Sequence, residues 1–472
     1  MKVTSLVSFF KENCFAIMGV LLMFAMFIYT ADVPFFWDAI TKSERATWFY
    51  DHHFSQWVVP TKINSGHPPL WTLLLAFSWK VFGKTLLVSR ALLLVVNCLV
   101  VLQLHQFIKN YGSRNLANSA YLILLLEPTY LAQTTILNND VLMLFFCLLA
   151  ANSIFKNRIL YAVAITGVLF CNLRGILFFG GFMLWDLVVR FLKFYHKQSR
   201  LSVVISYVVP TLIFLAFLGY QYQILGWILK SPSPNWQTQR EVAGMVAILK
   251  NGIAMIWVFL DYGRFSFWII GALLCWVCYK NKRKLNAKGK KMIALFLCVL
   301  VVQTLLIFST NPIGHRYLMF LYLVGLFIVI NLMHIVWSQK QAILVKTGVA
   351  FFLVSAHFWI YPSKIPQGWD SSLAYLNYFE IKRNMYNYVL DQNLPMDQIG
   401  TKTRNPSPSI ESLSTGFQPY TYCNQIKEVK YYLFSNIENS TLDDEIDTLE
   451  KDWKLVKEFQ KKGVFIRLYQ AP

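Results

Sequence analysis

The chain has 472 residues, of which 56% are hydrophobic and only 14% charged, with a net charge of +20. Such a composition excludes a disordered or ordinary soluble protein and indicates a polytopic membrane protein. The charge does not indicate nucleic acid. From Pro362 onward there are 13 Lys and Arg against 14 Asp and Glu, so the excess lies between the apolar runs, where it orients spans and favours anionic lipid.

The first apolar run, residues 14–31, follows Lys2 and Lys11 without a small-residue cleavage site and reads as a retained span. Further spans are expected at roughly 86–108, 116–136, 140–155, 159–173, 175–194, 202–227, 253–279, 292–309, 316–337 and 342–361, about eleven in all. Lys109 and Arg114, Lys156 and Arg158, Lys193, Lys197 and Arg200, and Lys340 and Lys346 form a set of basic links. The run Lys280, Lys282, Arg283, Lys284, Lys288, Lys290 and Lys291 belongs with them. The positive-inside rule makes these links and the N-terminus cytoplasmic.

Residues 68–83 are apolar with a helical period. Counting them as a span would move every later basic link to the other side, so they read as an interfacial helix anchored by Trp71, Phe77 and Trp79. Residues 31–90 then form one outer segment holding Asp32, Asp38, Glu44 and Asp51, with His52, His53 and His67. Beyond Pro362 a strand is expected at 430–437, a helix at 441–453 and a strand at 464–469. The expected architecture is a polytopic all-α membrane module over 1–361, with interfacial helices in its first outer loop. A small extracytoplasmic α/β domain follows over 362–472.

Only ten acids precede Pro362. Asp186 with Arg190, and Asp261 with Arg264, sit one helical turn apart and read as structural pairs. Asp38 follows an aromatic run at the membrane surface, where partial desolvation raises the basicity of a carboxylate; it is the leading candidate for a general base. Asp140 either caps a span or belongs to the site. His67, before Pro68 and Pro69, either faces the Asp38 cavity or caps the interfacial helix. Arg90, Arg174 and Arg316 fall at outer span ends, placed to bind a phosphate at headgroup level or to snorkel to lipid. His315 and Arg316 put two candidate cations at the start of one helix. The adjacent His52 and His53 are poorly spaced to converge on one metal ion. Of the eight Cys, seven lie in or at apolar runs, Cys275 and Cys278 as helix packing; there is no disulfide framework. P-loop, GxGxxG, HExxH and GxSxG motifs are absent, so no nucleotide cofactor is indicated.

Asp38 after the first span, His67-Pro68-Pro69-Leu70, Phe82-Gly83 and Arg90 together resemble the pattern of GT-C glycosyltransferases. Within that group the chain is similar to bacterial relatives of protein O-mannosyltransferases and lipid A aminoarabinose transferases. Glu127-Pro128 with Asp140 resembles the family's second outer-loop region, and His315-Arg316-Tyr317 its late Arg-Tyr element. The resemblance spans about residues 1–330. It implies sugar transfer with inversion from a polyprenyl-phosphate donor to a glycan, lipid or protein acceptor, on the extracytoplasmic face of the inner membrane. It also implies Asp38 as base or acceptor-orienting carboxylate. The candidate substrate-binding residues are His67, Arg90, Asp140, His315 and Arg316 of the matched pattern, together with Arg174 at its outer span end. Many relatives carry Asp-Glu where this chain has Asp38-Ala39, so Glu44 is the candidate second carboxylate, and a divalent metal stays open. The alternative is a transporter or a lipid-linked-sugar flippase, which calls for ionisable residues at mid-bilayer and repeated halves. No such repeat is found.

Overall fold

A computed structural model describes residues 3–112, 117–194, 198–234, 236–283, 285–402, 413 and 420–472; Lys2, Arg114, Lys197 and Lys284 lie outside the described residues. The chain begins with α1 (Val3–Tyr29), followed by two helices of the first long connection, α2 (Asp38–Asp51) and α3 (Leu70–Phe82). Then come α4 (Leu86–Tyr111), α5 (Ala117–Leu125), α6 (Pro128–Gln133), α7 (Asp140–Ser153), α8 (Arg158–Cys171), α9 (Gly175–Phe191) and α10 (Arg200–Leu225). The membrane module closes with α11 (Met245–Leu260), α12 (Phe265–Lys280), α13 (Ala287–Gln303), α14 (Met319–Val336) and α15 (Gln339–Ser355). Among the described residues, five helices are long and apolar enough to cross a membrane, six if α11 and α12 make one bent span. The chain is a multi-pass membrane protein.

Helix α14 is apolar on all sides, and nearly every side chain from Met319 to Met333 is buried, as expected of a helix surrounded by others. It packs against α5, α7, α12, α13 and α15. One end of the bundle is tied by Asp186, which bonds Arg158 at 2.7 Å and Arg190 at 2.9 Å, and by Trp185, which donates to the Lys291 carbonyl. The opposite end carries α2, α3 and the cavity described below.

The structure departs from three of these expectations. The 116–136 segment is not one helix. Pro128 has no N–H to continue α5, and Glu127 starts α6 instead, its side chain accepting the Tyr130 N–H at 2.7 Å. The 253–279 segment is bent by 88° between α11 and α12. Tyr262 and Gly263 are both left-handed there, and a Cβ on Gly263 would stand 2.3 Å from the Phe352 carbonyl oxygen. Helix α3 exists where expected, but of its three aromatic anchors only Phe77 is exposed. Trp71 and Trp79 are core residues, Trp79 donating to Ser89 at 2.8 Å.

After α15 the chain runs back along the cavity end to α16 (Asn377–Asp391) and a five-stranded sheet. The strands are β1 (Ile399–Thr401), β2 (Thr421–Tyr422), β3 (Tyr431–Ser435), β4 (Lys454–Lys461) and β5 (Val464–Gln470), in the order β2-β1-β3-β5-β4. Pairing of β1 with β2 and β3 is parallel, and β5 is antiparallel to β3 and β4. Lys462 and left-handed Gly463 turn the β4–β5 hairpin, and α17 (Asp443–Asp452) precedes it. The strand β4 does not read as a strand in the sequence because its charges, Lys454, Lys457, Glu458 and Lys461, fall at helical spacing rather than on alternate residues.

Candidate active site

Helix α2 starts at Asp38, after a left-handed Trp37 whose ring stacks on Phe36 at 5.1 Å. A φ of 47° is uncomfortable for an aromatic residue and persists because the surrounding rings hold it. From Asp38, residues four and seven positions on share one helix face, which brings Lys42 and Arg45 onto the same wall. That wall lines a cavity of about 420 Å³. The other walls are Ser65 and His67 ahead of α3, Arg174 at the start of α9, the loop carrying Trp236 and Arg240, and Arg316 with Tyr317 ahead of α14. Five cations thus surround one lining carboxylate.

Arg316 is the hub. Its guanidinium donates to Asp38 and to Asp370, and its Nε stands 3.5 Å from Asp140. Asp140 is also bound by Arg174 at 2.8 Å, and the Arg174 guanidinium lies 3.6 Å from the centre of the Tyr317 ring. Lys42 donates to Asn138 and lies 3.9 Å from Asp38. Asp38 leaves 47% of its side chain open, whereas Asp140 and Asp370 are below 10%; it is the carboxylate a substrate can reach.

Desolvation in the cavity pushes Asp38 up, but Arg316, Lys42 and Arg45 outweigh it and hold the carboxyl well below its usual range. Burial brings Lys42 down to about 8, with Asp38 opposing. His67 is driven well below the usual imidazole value, by burial first and then by Arg240, Arg45, Lys42 and Arg174. The ring is therefore neutral at physiological pH. Its Nε2 faces an Arg240 nitrogen at 3.4 Å, while its Nδ1 accepts from the Leu173 N–H at 3.5 Å.

Of the residues singled out from sequence, Asp38, His67, Arg174 and Arg316 share the cavity, and Asp140 joins them from behind through the two arginines. Asp140 does not cap α7, whose N-cap position is Asn139. Arg90 lies elsewhere, buried, with Nη1 on the Thr135 carbonyl at 2.5 Å and Nη2 on that of Val33. His315 turns away to Asp261 at 2.7 Å, and Glu44 does not line the cavity. Asp51, His52 and His53 are exposed. The expected Asp261–Arg264 pair is replaced. Asp261 takes His315 and Tyr361, and Arg264 forms a fully buried ion pair with Glu127 at 2.7 Å. Asp186 and Arg190 do pair.

Sequence reading missed Lys42, Arg45, Arg240 and Asp370. The spacing of Lys42 and Arg45 from Asp38 was a usable signal; Arg240 and Asp370 arrive from distant segments and carried none. Among the described residues no group of three or more His, Cys, Asp and Glu is placed to hold a metal ion. The three carboxylates that do converge meet on a guanidinium, a donor set that does not fit a divalent cation.

No protein-family model matches the sequence, and no curated protein does. Among solved structures, the chain resembles ArnT from Cupriavidus metallidurans bound to undecaprenyl phosphate, with a TM-score of 0.50 at 12% identity over 97% of this chain and 98% of that one. The apo state of the same protein aligns at 0.46 and 11% identity over the same shares. At such identities the likeness concerns the fold. The chain shares the fold of ArnT over nearly the full length of both, and the GT-C resemblance read from its sequence holds at that level.

Proposed function

We propose that this protein is an inverting membrane glycosyltransferase that moves a sugar from a polyprenyl-phosphate donor to a hydroxyl-bearing acceptor. The observation that carries this reading is the cavity with five cations around one accessible carboxylate. A phosphate leaving group needs fixed positive charge where its own charge develops. Arg174, Arg240, Arg45 and Lys42 supply it, while Asp38, kept ionised by Arg316, is placed to orient the acceptor hydroxyl and take its proton as the leaving group departs.

In the transfer step, the acceptor hydroxyl gives its proton to the Asp38 carboxylate as its oxygen attacks the anomeric carbon. The bond from that carbon to the phosphate oxygen breaks, and the electron pair leaves with the phosphate. Attack opposite the leaving group inverts the centre. ArnT, whose structure holds undecaprenyl phosphate, supports a lipid of this class as donor carrier. An apolar cavity of about 500 Å³ between α11, α12 and α13, lined by Phe259, Trp268, Phe296 and Ile307, suits an isoprenoid chain. It lies across the 304–308 turn from the charged cavity, which Leu306 lines.

Lys156, Lys193, Lys280 and Lys291 lie at the bundle end opposite the cavity, so by the positive-inside rule we read the cavity and the sheet as facing outward. In this reading α5 with α6, and α11 with α12, each make one passage, giving eleven. The test is to give membranes containing the full chain a panel of undecaprenyl-phosphate-linked sugars labelled in the sugar. Transfer to endogenous acceptors in wild type and its loss in Asp38→Asn is expected. Equal transfer by both removes Asp38 from the chemistry.

A further inference from the structure

Asp370 belongs to the stretch between α15 and α16, outside the part of the chain whose sequence resembles a transferase. Yet its carboxylate enters the site and takes one arm of Arg316. Its backbone is clamped there. Gln133 donates to its carbonyl at 2.8 Å, Tyr262 donates to that of Gly368 at 2.9 Å, and Tyr375 bonds Thr135 at 2.9 Å. The carboxylate is 9% open and its other oxygen accepts from Ser371 at 3.2 Å, so it stays put while Asp38, at 47%, is free to meet a substrate.

We propose that Asp370 is a positioning residue for the transfer: by holding one arm of Arg316 it limits how tightly that guanidinium grips Asp38. One guanidinium here serves Asp38 and Asp370 by hydrogen bonds and, at 3.5 Å, faces Asp140, whose other oxygen Arg174 holds. In a cavity of low dielectric the charge of Arg316 is divided among its partners. Removing Asp370 concentrates it on Asp38, and a carboxylate held harder accepts a proton less readily. The segment that leads to the sheet domain thus finishes the active site.

This inference rests on Asp38 acting as the base, and the test separates the two. The full-length protein in lipid nanodiscs is measured as wild type, Asp370→Asn, Asp370→Glu, Asp38→Asn and the Asp38→Asn/Asp370→Asn double variant. Affinity is measured with undecaprenyl phosphate, and rates with the donor panel above. Asp370→Asn is expected to bind undecaprenyl phosphate within about threefold of wild type, since a cavity anion faces no less positive charge. Its kcat is expected to fall about tenfold with KM for the donor unchanged, and Asp370→Glu to recover most of that loss. In the Asp38→Asn background the same substitution changes the residual rate by less than about twofold, because the partner it acts through is gone. An unchanged kcat in Asp370→Asn overturns the proposal while leaving the glycosyltransferase reading intact. So does an equal loss in both backgrounds, or joint loss of binding and rate that Asp370→Glu does not restore. A wild type that neither binds the lipid nor transfers any sugar sinks both readings.

Discussion

Asp38 and Arg316 stand 278 residues apart in the chain and meet across the cavity in a charge-assisted hydrogen bond. The contact joins the first helix after α1 to the turn ahead of α14, which makes it a closure of the whole membrane module around one accessible carboxylate. It also explains how Asp38 keeps its charge in a desolvated place.

Arg316 is the residue whose loss should be felt most after Asp38. Arg316→Ala leaves three carboxylates without their common cation and Asp38 without the contact that positions it, and misplacement of such a group costs about 10² in rate. Arg316→Lys is expected to restore little, since a compact ammonium lacks the planar fork that reaches Asp38 and Asp370 from separate nitrogens. Single-turnover rates with a donor that the wild type accepts check this; near wild-type rates in the Lys variant would show that charge alone suffices.

Lys42 sets a basic limb. Burial brings its ammonium to about 8, so the cavity carries this charge below that pH and loses it as the pH rises through it. Binding of undecaprenyl phosphate should weaken between roughly pH 7 and 9, and Lys42→Arg, which does not titrate there, should flatten the profile. Calorimetric titrations across that range decide it; an arginine variant with the wild-type limb would assign the effect elsewhere.

Glu127 and Arg264 form an ion pair with no exposure on either side, and Arg264 also lies 3.9 Å from the centre of the Tyr322 ring. Breaking such a pair from one side leaves a buried charge alone and costs about 3–5 kcal/mol, whereas replacing both partners by apolar groups is far milder. Glu127→Leu and Arg264→Met should each lower the unfolding temperature in detergent sharply, and the double variant should recover most of it. Additive losses would mean that the pair is not the unit of stability.

In the sheet domain, burial raises the Glu438 carboxyl to about 8, although hydrogen bonds from Thr401 and Thr441 and the charges of Lys382 and Lys402 oppose it. The folded state therefore holds a proton that the unfolded state releases above its ordinary value of 4.5. Stability from this group is full below about 4.5 and is lost as pH rises to about 8. Lys382, itself lowered to about 8, acts only above that window. Thermal unfolding at pH 6 and 8 should show a lower midpoint at pH 8, and Glu438→Gln should narrow the difference; an unchanged gap in that variant would refute the assignment.

The sequence alone was enough to show a multi-pass membrane protein, its likeness to GT-C transferases, and Asp38, His67, Arg174 and Arg316 as site candidates. Those features are local. Apolar length, a carboxylate after aromatics and a cation at a helix end each depend on a few neighbouring residues. The same locality misled where partners are distant. Arg90 and Arg316 look alike in sequence, both arginines at span ends, but one is spent on the carbonyls of Val33 and Thr135 and the other binds Asp38 and Asp370. Asp261 and Arg264 sit at ideal helical spacing, yet the break at Tyr262-Gly263 turns each towards a partner from another segment. Which charges share a desolvated space is settled by the folded chain alone. Ion pairs there are chosen by proximity across the fold, and proximity between residues 38, 140, 316 and 370 is written nowhere in their sequence neighbourhoods.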